Sequence, residues 1–188
     1  MTKRHHGLSG LLAFALTLLV TQTPTPAEAK PRVTLTLAHC CPADHTYGVY
    51  AHQLADRVAA NSNGEIKIEV LDGGVMGTEQ AIAQKVQLGT VQMGAITSNN
   101  VAQLAPSLNV LVLPYMSSGP EDLTGDGGLL RAGPYRDEMN KRVRAESGSL
   151  QVIGGFTNSF RSLFSKDECI DSLDDLQGRK IRAPKNPV

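Results

Sequence analysis

The chain carries no surplus of charge: 18 Lys and Arg stand against 18 Asp and Glu in 188 residues. Nor do the basic residues gather into a stripe. Nucleic-acid backbones are held by clustered Lys and Arg, so this balance argues against a nucleic acid as partner. Familiar catalytic motifs are missing as well. No G-x-S-x-G frames a nucleophilic serine, and Gly73-Gly74-x-x-Gly77 lacks the Lys and Ser/Thr that complete a phosphate loop. No C-x-x-C and no H-x-x-x-H spacing occurs, which removes the common structural zinc sites. Only three cysteines are present, and no apolar run reaches the roughly 20 residues a bilayer requires.

What is present begins at the N-terminus. Lys3, Arg4, His5 and His6 precede the apolar run 11–20 (LLAFALTLLV), and Ala27-Glu28-Ala29 supplies a small-x-small site. Basic, apolar and small segments in that order predict a secretory signal peptide over 1–29, cleaved after Ala29. A retained anchor helix is the competing reading, and no Cys follows the run closely enough for a lipid anchor. Removing 29 of 188 residues leaves 159, with two of 18 basic and one of 18 acidic residues lost, a net charge of −1. The mature chain is expected to be soluble and of about one domain. Export brings oxidising conditions, so a bond from Cys40 or Cys41 to Cys169 is open beside free thiols.

Along the chain, β-branched and helical patterns alternate. Residues 33–38 (VTLTLA) read as a buried strand and 47–61 as a helix, with Tyr50, Leu54 and Val58 on one face. Ile66, Ile68 and Val70 alternate with charges in a second strand, which completes a βαβ unit with a parallel pair. Thr78, Glu79 and Gln80 open a second helix with Ile82, Val86 and Met76 on its apolar side, ending at Gly89. Strands are expected at 93–97, 108–113, 150–156 and 180–183, and a helix at 135–146 with Met139 and Val143 inward. This is an α/β chain with a mainly parallel sheet.

Ligands of open α/β sheets sit beyond the carboxyl ends of the strands. Those ends are 39–44, 72–74, 98–100, Pro114 with Tyr115, and 157–158. His39, Cys40, Cys41, His45 and His52 lie close together, and two readings stay open for them. One is an exported hydrolase-type or metal-dependent enzyme built on His39, Cys40, Cys41 and His45, by zinc or by a Cys40–His45 pair. The other is a polar loop offering His39 or His45 to a ligand. Arg182, between Ile181 and Ala183, is expected to be partly buried unless paired, and a guanidinium grips a carboxylate with two parallel bonds. A solvent-facing edge position is its alternative. Arg161 follows the 150–156 strand.

Several segments in order carry a resemblance: LAHCCPADHTYG, NGEIKIEVLDGGVMGTEQ, VQLGTVQMG, LNVLVLPYM, GGFTNSFRSLFSKDECI and SLDDLQGRKIRAP. Together they span residues 33–184, and the set resembles the extracytoplasmic solute receptors of tripartite ATP-independent periplasmic (TRAP) transporters, the DctP-like proteins. The resemblance implies a periplasmic binding protein-like (type II) two-lobed α/β fold, without enzymatic activity and without a cofactor. It implies a monomeric periplasmic protein that captures a small organic acid for integral-membrane TRAP permease subunits. Arg182 would grip the ligand carboxylate and Arg161 would assist. Asn158, His39, Asp44, Ser98 and Asn99 would add contacts from the strand ends. Against the family pattern, 30–157 corresponds to lobe I without its returning segment, and 158–188 to the start of an incomplete lobe II. The Cys40-Cys41 pair and the loose stretch 119–133 depart from that pattern.

Overall fold

The structure, a computed structural model, describes residues 31–126, 128–157, 162–166 and 168–183. Three parallel strands form a sheet in the order β2-β1-β3, with β1 at Val33–Ala38, β2 at Ile66–Leu71 and β3 at Met93–Gly94. β1 pairs with β2 from Val33↔Ile66 to Ala38↔Leu71, and with β3 at Leu37↔Met93 and Ala38↔Gly94. Helix α1 (Thr46–Asn61) connects β1 to β2, and α2 (Glu79–Gln87) connects β2 to β3. Parallel neighbours require such crossovers, so sequence order dictates where the helices lie.

Strand side chains alternate between faces, and the two helices divide those faces between them. Leu35, Leu37, Ile68 and Val70 pack with Ala51, Leu54, Ala55 and Val58 of α1. Ala38 and Leu71 turn the other way and pack with Ile82 and Val86 of α2, together with Val91, Met76 and Ile96. The expected inward residues of both helices are therefore inward, except Tyr50. That residue is 46% exposed, and its ring stacks on Phe156 at 4.8 Å. The sheet-facing stripe of α1 runs instead through 51, 54, 55 and 58, the i, i+3, i+4, i+7 spacing of a helix seated on one surface.

A third core cluster lies beyond β3. Ala102, Ala105, Leu108, Val143 and Leu150 are buried together, with Met139 and Val152 against them. The short α3 (Ser98–Val101), the brief α4 (Glu121–Thr124) and the longer α5 (Pro134–Ser147) belong to this half of the chain. Gln87 Nε2 donates to the Ser147 carbonyl at 2.9 Å, and Ser149 Oγ donates to the Gln87 carbonyl at 2.8 Å, tying α5 to α2.

Four expected strands are not found as expected. Residues Pro106–Val112 form a 3-10 helix rather than a strand. Pro106 suits a first helical turn, and Leu108 and Leu111 fall three residues apart on the buried side, leaving Val110 and Leu113 more exposed. The third strand is two residues long, because Ser98 starts a helix four residues after Gly94. Residues 150–156 form no strand. Asn140 serves them instead: its Oδ1 accepts from the Val152 N–H at 2.8 Å and its Nδ2 donates to the Val152 carbonyl at 2.9 Å. Residues 180–183 likewise form no strand, since among the described residues nothing pairs with them.

Candidate functional site

The carboxyl ends of β1, β2 and β3 carry three loops that meet at one edge. The β1–α1 loop turns back on the first turn of α1. A Cβ added to Gly48 would lie 2.3 Å from the Ala43 carbonyl oxygen, so only glycine lets the loop approach this closely. His45 caps α1, its Nδ1 accepting from the Tyr47 N–H at 3.2 Å. The β2–α2 turn passes through Gly73 and Gly74, both at positive φ, and its amides bind the β1 loop. Gly73 N–H donates to the Cys41 carbonyl at 2.7 Å, and Gly74 N–H to the His39 carbonyl at 3.1 Å.

Two carboxylates organise this edge from within. Asp72, the first residue past β2, joins two histidines. His39 is fully buried, its Nδ1 accepting from the Cys41 N–H at 3.3 Å. The proton therefore sits on Nε2, which donates to Asp72 Oδ1 at 2.8 Å. His52, half-exposed on α1, brings its Nε2 within 3.1–3.2 Å of the same carboxylate. Glu79, in the first turn of α2 behind its N-cap Thr78, gathers the third loop. Its Oε2 accepts from the Thr97 N–H at 3.2 Å and from the Thr97 hydroxyl and the Asn100 amide in short bonds.

Cys40 donates its thiol to Glu79 Oε1 at 3.5 Å and lies 3.3 Å from the Cys41 sulfur. Burial, the Cys41 thiol and the Glu79 carboxylate together push the Cys40 thiol up to about 12. It is a bound thiol at neutral pH, the opposite of an activated nucleophile. All three cysteines are free, Cys169 exposed on its own segment. Among the described residues no group of three or more His, Cys, Asp and Glu is arranged to hold a metal ion.

The expected site residues divide sharply. Asp44 is exposed at the loop tip, Ser98 is half-buried at the start of α3, and Asn99 is buried to 7% exposure beside it. These stand at one edge. The expectation that His39 faces a ligand is corrected, since its ring is buried and both nitrogens are taken. Arg182 is exposed and makes no ion pair or side-chain hydrogen bond with a described residue, so the expected partial burial in a strand is also corrected. The reason is the missing strand partner at 180–183. Asn158 and Arg161 lie outside the described residues, as do residues 1–30 with the expected signal peptide. Tyr115, counted among strand ends, instead follows the 3-10 turn with positive φ and full exposure.

The chain delivers the segment before Asn158 to the same edge through aromatic contacts. Phe156 meets Tyr47 edge-on at 5.3 Å and stacks on Tyr50 at 4.8 Å, next to the His45–Tyr47 contact at 5.3 Å. Before Arg182, the Asp175 carboxylate accepts from the Ser172 hydroxyl and N–H and from the Asp171 N–H, which holds it below the usual carboxylate range. A separate hollow of about 460 Å³, lined by Leu163, Phe164, Lys166 and Ile170 among others, draws on residues 163–166 and 168–171 and shares none with the edge.

Sequence reasoning missed Asp72, Glu79, Thr97, Asn100 and His52 as members of one arrangement. Asp72 and Glu79 carried a signal, a lone acid directly after a strand and a lone acid in a helix's first turn. Their partners are 18 to 33 residues away in sequence, which no local pattern reports.

Comparison with known proteins fits this geometry. Residues 37–188 match the family model described as bacterial extracellular solute-binding protein, family 7 (DctP). The 2,3-diketo-L-gulonate-binding periplasmic protein of Escherichia coli is 26% identical over 140 residues, covering 74% of this chain and 41% of that protein. The C4-dicarboxylate-binding protein of Bacillus subtilis is 26% identical over 163 residues, covering 85% and 44%. A crystal structure of a TRAP periplasmic solute binding protein from Rhodobacter sphaeroides, in an apo open form, superposes with a TM-score of 0.67 at 26% identity. It covers 82% of this chain and 48% of that one. The chain thus spans less than half the length of these relatives. The periplasmic binding protein-like α/β fold expected from sequence is the fold found over the part shared with them. With four-fifths of its length on the family model and a parallel sheet whose polar loops meet at one edge, the chain belongs to family 7 of the bacterial extracellular solute-binding proteins.

Proposed function

We propose that this chain is the solute-capturing component of a TRAP-type secondary transporter. It takes up a small organic carboxylate in the periplasm and passes it to integral-membrane permease subunits, acting as a monomer and without catalysis. The observation that carries the reading is the convergence of three strand-end loops on one polar edge, where open α/β sheets bind ligands. Membership of an extracellular solute-binding family supports it, as do the names of the diketogulonate- and dicarboxylate-binding relatives. Residues 1–29 direct export and are removed after Ala29; residues 30–157 contribute lobe I and 158–188 the start of lobe II.

Within that reading, Arg182 grips the ligand carboxylate with Arg161 assisting, and Asn158, Asp44, Ser98 and Asn99 contact the remainder. Arg182 is suited to this, because its guanidinium is unspent on any described residue and presents a planar fork that matches a carboxylate. The enzymatic alternative loses its groups one by one: His39 is buried, His45 caps α1, and Cys40 is held as a thiol by Glu79. The test is calorimetric titration with a panel of small carboxylates. Arg182→Ala is expected to weaken the best ligand by about tenfold, since hydrogen bonds to a charged group are worth roughly 1.5–3 kcal/mol. Affinity unchanged within about twofold would remove Arg182 from the site.

A further inference from the structure

Cys40 and Cys41 are neighbours in sequence, yet their sulfurs come together at 3.3 Å. Successive side chains of an extended chain point to opposite faces, so the backbone has to bend to do this. It bends at both residues. The adjoining loop fixes the bend from either side. Gly73 N–H holds the Cys41 carbonyl at 2.7 Å, Gly74 N–H holds the His39 carbonyl at 3.1 Å, and the Cys41 N–H donates to His39 Nδ1 at 3.3 Å. A β-carbon on Gly74 would stand 3.4 Å from the Cys40 carbonyl oxygen, so the turn lies directly against the pair.

The two thiols also have a direction. Cys40 donates to Glu79 Oε1 at 3.5 Å, so the hydrogen between the sulfurs belongs to Cys41. The other Glu79 oxygen is taken by Thr97 and Asn100, which leaves Oε1 to the thiol. Both cysteines are free and half-buried, so a small reagent can reach them. A carboxylate at one end of two touching thiols can accept the proton that ring closure releases.

We propose that Cys40 and Cys41 are a redox modification site, closing to a reversible vicinal disulfide by exchange with a small-molecule disulfide such as glutathione disulfide. Cys41 sulfur attacks the reagent, its S–S bond breaks, and the first glutathione leaves with the Cys41 proton. Cys40 sulfur then attacks the Cys41 sulfur of the mixed disulfide, Glu79 takes the Cys40 proton, and the second glutathione leaves as thiolate and is protonated in turn. The pair is oxidised by two electrons and the reagent is reduced to two thiols. Burial, then the Cys41 thiol and the Glu79 carboxylate, hold Cys40 in its thiol form, so the first attack falls to Cys41.

Reversibility follows from adjacency. Neighbouring Cα atoms stand about 3.8 Å apart, below the roughly 4.4–6.8 Å that relaxed disulfides span. A bond within the pair is strained, and strained disulfides are the readily reduced ones. Closure also takes the thiol hydrogen from Glu79 Oε1 and draws the peptide between the cysteines into a small ring. The carbonyls that Gly73 and Gly74 hold are on either side of that peptide, so the oxidised edge is looser than the reduced one. This holds whichever ligand the edge receives.

The experiment uses the 188-residue chain carrying Cys169→Ser, a change at an exposed position that leaves only the pair to react. Reduced protein is equilibrated with glutathione and glutathione disulfide at a series of ratios, alkylated in denaturant and digested, and the peptide holding both cysteines is weighed. An unalkylated peptide, lighter by the hydrogens lost, is expected at oxidising ratios, and the dialkylated peptide when reduced glutathione is in excess. Cys40→Ser should stop at glutathione carried on Cys41, whereas Cys41→Ser should take glutathione up at least about tenfold more slowly. Hydrogen exchange at the Gly73 and Gly74 amides should be faster in the oxidised form. A pair that stays dialkylated at every ratio, or that carries glutathione without closing, overturns the proposal. So does a link from either cysteine to Cys169 in the unsubstituted chain. A closed pair that resists excess reduced glutathione overturns reversibility, and unchanged exchange at both glycines overturns the loosening of the edge.

Discussion

His39 Nε2 donates to Asp72 Oδ1 at 2.8 Å across 33 residues of sequence, from a ring with no exposed surface to a carboxylate at the site edge. The bond joins the end of β1 to the end of β2 where the ladder Ala38↔Leu71 stops. It extends the pairing of the two strands by one side-chain step, and it aims Asp72 outward. Replacing His39 by Ala is expected to destabilise the protein by about 2–4 kcal/mol, through lost buried volume and a lost bond to a charged acceptor. The check is the urea midpoint, read beside Asp72→Asn, which keeps one acceptor and should cost less.

Asn140 and Val152 present a comparable case on the other side of the molecule. The Asn140 amide gives the Val152 backbone the two bonds a neighbouring strand would have given. Asn140→Leu should cost roughly 2–3 kcal/mol, because it leaves a peptide N–H and a carbonyl unpaired in a part-buried place. Hydrogen exchange at the Val152 amide should accelerate with it. An unchanged exchange rate would show that the segment is held by its apolar contacts alone.

Gly48 is expected to tolerate nothing larger. The Ala43 carbonyl oxygen stands 2.3 Å from the place a β-carbon would take, so Gly48→Ala must displace the loop carrying Asp44 and His45. Helix propensity favours the change by up to about 1 kcal/mol, and the clash opposes it by about 1–3 kcal/mol or more. A net loss of stability, with a changed environment for His45 by NMR, is the expected result. A gain in melting temperature would show that the loop yields freely.

The Cys40 thiol sets a limit on alkaline stability. Its folded value is raised from 9.0 to about 12, chiefly by burial and then by Cys41 and Glu79. Between those values the folded state holds a proton that the unfolded chain releases, so the unfolded state binds fewer protons. The contribution is whole below about pH 9 and is lost as pH rises toward about 12. Cys40→Ser should flatten the alkaline side of the stability curve. In alkylation at about pH 8, Cys169, exposed on its own segment, should be modified well before Cys40.

Much of the first half of the fold was legible because its patterns are clean. β2 alternates Ile66, Ile68 and Val70 with charges, and α2 opens on Thr78, which caps it as its type and place suggest. The stretch LNVLVL misled, since a short apolar run fits a strand and a buried helical turn equally. Pro106 ahead of it and the three-residue spacing of Leu108 and Leu111 were the discriminating signals. Arg182 misled for a different reason: its burial required a pairing partner, and local sequence says nothing of partners. The edge was legible as a place, through its strand ends, but not as a network. Asp72 and Glu79 acquire their roles only when loops distant in sequence are brought together.

The central position of β1 bears on how the chain assembles. The first of the described strands to leave the ribosome is the middle strand of the sheet, and its two partners come 33 and 56 residues later, at Ile66 and Met93. Neither ladder can close locally, so both await loop closures of that length, which places folding among the slower topologies. Residues 33–38 therefore spend the longest time of the described strands with open edges on both sides. That interval makes VTLTLA the segment most in need of protection from wrong pairing before Met93 arrives.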